Sequence, residues 1–259
     1  MNGLKSFNWS GAASFLLALL LWEMGARAAP ELQLYFPPIT AVIGALARLL
    51  GSGSVVQHLL TTLERFLGGY LVAAAFGVIL GIALGYFRFL DNLLGIVIEL
   101  LRPMPSVAII PVAILLLGIG DSMIVAVTVY ATVWPILINT VDGVRHIEST
   151  LIDTGRTFGL GRWRILWRII LPGASPYIVT GLRIALSIAL ILVTTAEMVA
   201  GSKGLGFFIL DQERSMNSDN MYAGIITLAA LGYALNRIFL VLEARVMHWR
   251  RGMALRGTA

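Results

Sequence analysis

Charged residues are widely spaced along much of this chain. None falls between Lys5 and Glu23, between Arg65 and Arg88, between Arg102 and Asp121, between Asp121 and Asp142, or between Asp219 and Arg237. A helix that crosses about 30 Å of hydrocarbon needs roughly 20 mostly apolar residues, so each gap predicts a membrane span. One more span, fifth in chain order, is expected to begin near a turn at Gly173–Pro176, to tolerate Arg183 near its start and to run toward Glu197. The pattern predicts an all-α, polytopic membrane protein of about six transmembrane helices, forming one domain over residues 1–259.

Between the first two spans, residues 37–60 open with Pro37-Pro38. They then place Ile39, Val42, Ile43, Leu46, Leu49 and Leu50 at three-and-four spacing. That is the period of an amphipathic helix, here too short to cross a bilayer. The second span carries Gly69, Ala73, Gly77, Gly81 and Gly85 at steps of four, a small-residue face that another helix can approach closely. In the third span Pro103, Pro105 and Pro111 are expected to interrupt the helix, because proline has no amide hydrogen and clashes with the preceding turn. Carbonyls freed in this way cannot face lipid, so the break is either a packed kink or part of a water-accessible pathway. Pro135 is expected to break the fourth span similarly, with Tyr130, Thr132, Trp134 and Asn139 offering polar atoms around it.

Composition agrees with the membrane reading: 58% of the 259 residues are hydrophobic, 13% are charged and mean hydropathy is +0.86. There is no cysteine, which excludes disulfides, thiolate metal sites and cysteine nucleophiles. The net charge of +5 marks loops that stay inside rather than a nucleic-acid partner. Arg145, Arg156, Arg162, Arg164 and Arg168 follow the fourth span, and Arg245, Arg250, Arg251 and Arg256 follow the sixth. Both segments therefore face the cytoplasm. Counting back through the crossings puts the N-terminus with Lys5, the short Arg88 loop and the C-terminus inside, and residues 29–60 and 201–219 outside. Residues 11–29 also resemble a signal peptide ending in Ala26-Arg27-Ala28, but Glu23 inside the run argues for a retained first helix.

About 30 residues from Asp142 to Leu171 are too polar for the bilayer core and too apolar in places for a solvated loop. Phe158, Trp163, Leu166, Trp167 and Ile170 alternate with Arg156, Arg162, Arg164 and Arg168, and Gly159 and Gly161 break the run. The pattern predicts a short helix, a glycine turn and a second helix leading to Pro172. Pattern alone leaves two roles open: a basic amphipathic helix on anionic headgroups, or a helix docked on a partner.

Asp153-Thr154-Gly155, then Phe158-Gly159 and Leu171-Pro172, resemble the cytoplasmic Glu-Ala-Ala loop of binding-protein-dependent ABC importer permeases. Asp153, Gly159 and Pro172 keep the acid, glycine and proline of that pattern, whereas Thr154 and Gly155 replace its two alanines. Arg102-Pro103-Met104-Pro105-Ser106-Val107, Gly118-Ile119-Gly120, Pro176-Tyr177-Ile178, Thr180-Gly181-Leu182-Arg183 and Ala196-Glu197-Met198 are similar to the sulfonate, taurine and nitrate branch. The resemblance runs from about Pro37 to the sixth span. It implies a type I ABC importer permease (MetI-like) fold in a bacterial inner membrane, working as a homodimer. Its partners would be two cytoplasmic ATPase subunits carrying ATP and Mg and an external solute-binding protein. Residues 142–172 would form the coupling loop, with Asp153, Thr154, Gly155, Phe158, Gly159, Arg162, Trp163 and Pro172 at the ATPase. The solute would be small and anionic.

Candidates for the pathway or gate are Arg102, Met104, Tyr130, Trp134, Asn139 and Glu197. Glu99 and Arg102, three apart on one helix, either pair with each other or leave Arg102 to meet an anionic solute. Glu197, at the outer end of the fifth span before Gly201, Gly204 and Gly206, either lines an outer gate or simply reaches water. The chain contains no Gly-x-x-x-x-Gly-Lys-Ser/Thr phosphate loop, so it is expected to be no ATPase and to hold no cofactor of its own. His58, His146 and His248 are far apart without zinc-site spacing, so no metal is expected. A gradient-driven carrier or channel would carry more ionisable groups within its spans, and an intramembrane enzyme would need a clustered nucleophile and base.

Overall fold

A computed structural model describes residues 9–247. Lys5, His248, Arg250, Arg251 and Arg256 lie outside the described residues. Among the described residues the regular structure is helical. Four helices are long and apolar enough to cross a membrane: α3 (Ser54–Tyr86), α6 (Asp121–Arg145), the continuous helix Arg162–Ala200, and the helix from Ser218. That last one is α11 (Ser218–Val246). A fifth span is broken. It joins α4 (Arg88–Leu101) to the segment Ser106–Leu117, whose second part is α5 (Ile110–Leu117), with a bend of 91° between them. A sixth apolar helix, α1 (Trp9–Ala28), has 20 residues and is thus about 30 Å long. The continuous helix Arg162–Ala200 comprises α8 (Arg162–Ile165), a π turn and α9 (Leu171–Ala200), and the shorter helices are α2 (Ile39–Gly51), α7 (Ser149–Thr157) and α10 (Leu205–Arg214).

The three-helix core of α3, α6 and α9 is held at close range by missing side chains. A Cβ on Gly69 would stand 2.6 Å from the Thr128 methyl, and one on Gly77 3.0 Å from Ile136. On Gly81 it would stand 2.6 Å from Thr140, and on Gly85 2.7 Å from Val144. The small-residue face of α3 is therefore a seam against α6. On its other side α6 meets α9 the same way, through Gly143 beneath Tyr177 and Gly181 beneath Asn139. Thr128, Thr132 and Thr140 are fully buried in this seam, and each hydroxyl donates to the carbonyl four residues back on its own helix. No polar atom of theirs is left facing apolar surroundings.

Several boundaries differ from the sequence reading. α3 starts at Ser54, eleven residues before Arg65, because His58, Thr62 and Arg65 lie on one face of it and find partners in a loop described below. The third span does not run simply from Arg102 to Asp121. The residues read as a short Arg88 loop are helical, and the chain turns over at Arg102–Pro105. Pro111 breaks nothing, since it sits in the first turn of α5, where amides need no partner. Pro135 stays inside an unbroken α6, held between two packed neighbours with Ile136 and Leu137 buried beside it. The fifth span does not begin at a Gly173–Pro176 turn. Its helix is continuous from Arg162, and a π turn at Leu166–Ile170 precedes Pro172, which has no amide for the Arg168 carbonyl.

At the other end of the bundle, α1 is stitched to α2. Glu23 accepts hydrogen bonds from the Thr40 amide (3.2 Å), the Thr40 hydroxyl (2.9 Å) and Arg27 (2.6 Å), and the Trp22 indole donates to the Pro37 carbonyl (2.9 Å). Ala26, in the stretch that resembled a cleavage site, is buried within the helix.

The seam makes one prediction from a matched pair of substitutions. In detergent, Gly81→Ala is expected to lower unfolding stability by about 1–3 kcal/mol through overpacking. Gly44→Ala, on α2 with nothing near its missing Cβ, should be neutral or stabilising by up to about 1 kcal/mol.

Candidate functional site

Three groups of residues carry chemistry beyond packing. The first lies where α3, α6 and α9 end beside the loop 201–204. Glu197, in the last turn of α9, has no solvent exposure, and Arg65 is 6% exposed. The Arg65 guanidinium donates to the Glu197 carboxylate (2.9 Å), to the Lys203 carbonyl (2.7 Å) and, through Nε (2.9 Å) and Nη2 (2.5 Å), to Asp121 at the start of α6. Thr62 donates to Glu197 at 2.9 Å and accepts from the Leu205 amide at 2.7 Å. The Gly206 amide donates to Glu197 (2.9 Å), and the Gly204 amide to His58 Nδ1 (3.1 Å).

Three consecutive amides, 204–206, are thus captured by three side chains. His58, Thr62 and Arg65 share one face of α3 at i, i+4 and i+7, which is why one helix can serve the whole loop. Gly204 adopts φ +105°, and any Cβ there would run into the Glu197 carboxylate; at Gly206 a Cβ would run into the Thr194 carbonyl. Glu197 therefore neither lines an open gate nor reaches water. It is the buried centre of a hub that joins three spans and a loop. The sequence reading missed the hub because Arg65 and Glu197 are 132 residues apart. The available signal was the polar face of α3 facing a glycine-rich turn.

The second group surrounds the broken span. Arg102 and Met104 are exposed at the break. Of the two alternatives for Glu99 and Arg102, the ion pair between them does not form. Among the described residues Arg102 has no ion-pair partner. The Tyr130 hydroxyl donates to the Leu101 carbonyl (2.6 Å), which also accepts from the Met104 amide across the break (3.2 Å). Tyr130 and Trp134 meet edge to face at 5.5 Å, and the Trp134 Nε1 is buried without a hydrogen-bond partner. Asn139 lies further along α6 and donates to the Pro135 carbonyl at 2.7 Å. The structure thus gathers Arg102, Met104, Tyr130 and Trp134 into one region, sets Asn139 apart and places Glu197 elsewhere.

The third group is the elbow between α6 and the long helix. α7 ends in a Schellman cap: the Gly159 amide donates to the Arg156 carbonyl (2.9 Å) and the Leu160 amide to the Gly155 carbonyl (3.0 Å). Gly159 carries the required left-handed φ of +75°. Gly155 is buried because a Cβ there would stand 2.7 Å from Ile169, so α7 lies directly on the following helix. Phe158 at the tip is 82% exposed and Trp163 is 73% exposed. Asp153 pairs with Arg156 at 3.0 Å on the surface, and the Thr154 hydroxyl bonds back to the Thr150 carbonyl (2.7 Å). Pro172 is exposed in the first turn of α9. Among the described residues no cluster of acidic or histidine side chains could hold a metal ion.

Comparison with known proteins gives a consistent picture. Residues 73–248 match the model of a family described as binding-protein-dependent transport system inner membrane component. The chain is 33% identical to a putative ABC transporter permease of Methanocaldococcus jannaschii, covering 92% of this chain and 90% of that one. It is 31% identical to the taurine transport system permease of Escherichia coli (90% and 87% covered) and 30% identical to a nitrate import permease of Leptolyngbya laminosa (91% and 86%). In fold it resembles the inward-facing methionine ABC transporter, with TM-score 0.59 at 20% identity over 79% of this chain and 97% of that one.

The hub yields a double-substitution test. Removing one partner of a buried ion pair costs about 3–5 kcal/mol, because the other charge stays buried and uncompensated. Arg65→Met and Glu197→Leu are each expected to lower the unfolding temperature sharply in detergent, while the double variant recovers part of the loss. Strictly additive losses would refute the coupling.

Proposed function

The chain belongs to the binding-protein-dependent transport system inner membrane components, and we propose that it forms the path by which such an importer passes a small anionic solute. It is the transport subunit; in these systems ATP is hydrolysed by a separate ATPase. The proposed assembly is a homodimer with two ATPase subunits, which hold ATP and Mg, and an external solute-binding protein. N- and C-termini lie on the cytoplasmic side of a bacterial inner membrane.

The observation that carries this reading is the elbow at α7. A projecting helix transmits force only if it is anchored, and α7 is anchored by the Gly155 seat and the Gly159 cap. Phe158 at its tip is an apolar group with no place in its own chain. In the proposed mechanism Phe158 enters a cleft on the ATPase, while Asp153 and Thr154 present the polar flank of α7. Arg162 and Trp163 begin the lever that runs past Pro172 into α9. Closure of the two ATPases would draw two such elbows together and tilt the attached spans as rigid bodies, opening the path to the other side.

Support for an anionic solute comes from the nitrate and aliphatic sulfonate relatives, from the sulfonate group of the taurine relative's solute, and from Arg102, an exposed guanidinium at the break of a span. Met104, Tyr130 and Trp134 would line the path near it, with Asn139 further along α6. An outer hub that holds α3, α6 and α9 together favours movement of those ends as one body.

Two measurements test the proposal. Truncating a large buried interface side chain costs about 2 kcal/mol or more. Phe158→Ala should therefore weaken ATPase retention on purification at least tenfold or so, with uptake falling in step. Gly159→Asn, which tolerates left-handed backbone, should keep both better than Gly159→Val. Undiminished ATPase binding and uptake in Phe158→Ala would overturn the elbow assignment, and uptake driven by an ion gradient without any ATPase would favour a carrier. In proteoliposomes Arg102→Ala should slow uptake of an anionic solute with ATPase retention unchanged; unaltered uptake removes Arg102 from the path.

A further inference from the structure

Beside the elbow lies a cavity of about 270 Å³ lined by Ile82, Tyr86, Phe87, Arg162, Trp163 and Leu166. Its walls come from two places. Ile82, Tyr86 and Phe87 are the final residues of the uncharged run that begins after Arg65 and ends at Arg88. That run spans roughly the 20 residues needed to cross the hydrocarbon, so these three side chains sit at its edge. Arg162, Trp163 and Leu166 begin the long helix Arg162–Ala200, whose 39 residues far exceed one crossing. Its first turns share this cavity with Ile82, Tyr86 and Phe87, which sets them at headgroup level.

The exposed side of those turns has a particular composition. Trp163 and Trp167, four apart on one face, are 73% and 66% exposed. Arg162, Arg164 and Arg168 are exposed beside them, and among the described residues none of the three forms an ion pair. The opposite side, Ile165 and Ile170, is buried in the protein's own core. Indole rings settle where an apolar body can face chains and a polar edge can face headgroups. Guanidinium groups at that depth meet phosphate in paired hydrogen bonds.

We propose that this crevice is a binding site for one anionic phospholipid, with an acyl chain between Phe87 and Trp163 and the headgroup phosphate on Arg162. Charge decides the occupant: an apolar slot at the hydrocarbon edge that includes the uncompensated Arg162, with Arg164 and Arg168 exposed on the same turns, matches a lipid that combines a chain with a negative head. The ATPase is the less suitable occupant, because half of the lining belongs to the end of a membrane-crossing helix. The site lies on the lever that leaves the elbow, so a bound lipid would brace its base.

The test uses the permease with its ATPase in nanodiscs of phosphatidylcholine containing a trace of phosphatidylglycerol or phosphatidylcholine that bears a diazirine in the acyl chain. After illumination, peptide mapping locates the adducts. Phosphatidylglycerol should mark Ile82–Phe87 and Arg162–Leu166 several-fold more than phosphatidylcholine does. Arg162→Gln should reduce this labelling about fivefold, the effect of one basic residue at an anionic surface. Ile82→Trp, which fills the slot, should abolish it while labelling elsewhere persists. If Ile82→Trp fails to fold, Arg162→Gln on the surface still decides the matter. Equal labelling by both lipids, labelling indifferent to Arg162→Gln, or labelling present without the ATPase and lost with it would each overturn the proposal, the last assigning the slot to the ATPase.

Discussion

Inside a bilayer, water drives no helices together, so a bundle holds only where backbones come near enough for dispersion to add up. This chain meets that requirement along the contact of α3 with α6. Gly69, Gly77, Gly81 and Gly85 remove every side chain that would separate the two helices, and threonines facing them bury their hydroxyls in their own backbone. α9 joins the same way through Gly143 and Gly181. The broken span, the elbow and the glycine-rich loop after α9 are all carried on these three helices. Their geometry is only as well defined as the seam beneath them.

A different device secures the end of the bundle where the seam stops. Arg65, Thr62 and His58 reach across from α3 and take hold of the turn that follows α9, and Glu197 is walled in by Gly204 and Gly206. Burying a carboxylate completely is costly unless its lone pairs are filled. Here a guanidinium, a hydroxyl and an amide fill them. The arrangement exchanges net stability for geometry, since an ion pair specifies direction and distance in a way that leucines cannot.

Much of the architecture was legible in the chain itself, because charge spacing reports bilayer thickness directly. The gaps after Arg65, Asp121 and Asp219 each became a helix, and the steps of four in α3 became a packing face. Proline was the poorer guide. Pro135 and Pro176 sit within unbroken helices, whereas Pro103 and Pro105 mark a bend of 91°. Local rules cannot tell these cases apart without knowing what packs alongside. The two-helix elbow was visible from Gly159 and its flanking aromatics, since a Schellman cap is a local event. The hub was not, since its two central charges are far apart in the chain and each had a plausible solitary explanation.

The order in which the ribosome delivers these groups gives the hub a temporal side. Arg65 is synthesised 56 residues before Asp121 and 132 before Glu197. While the chain is being threaded into the bilayer, the arginine stands at the aqueous rim with neither of its acidic partners yet made. It acquires its first when α6 arrives, and its second only once α9 has crossed. Closure of the glycine turn over Glu197 is therefore a late event in biogenesis, and a nascent chain halted before residue 197 would retain an open, hydrated notch where the finished protein is dry.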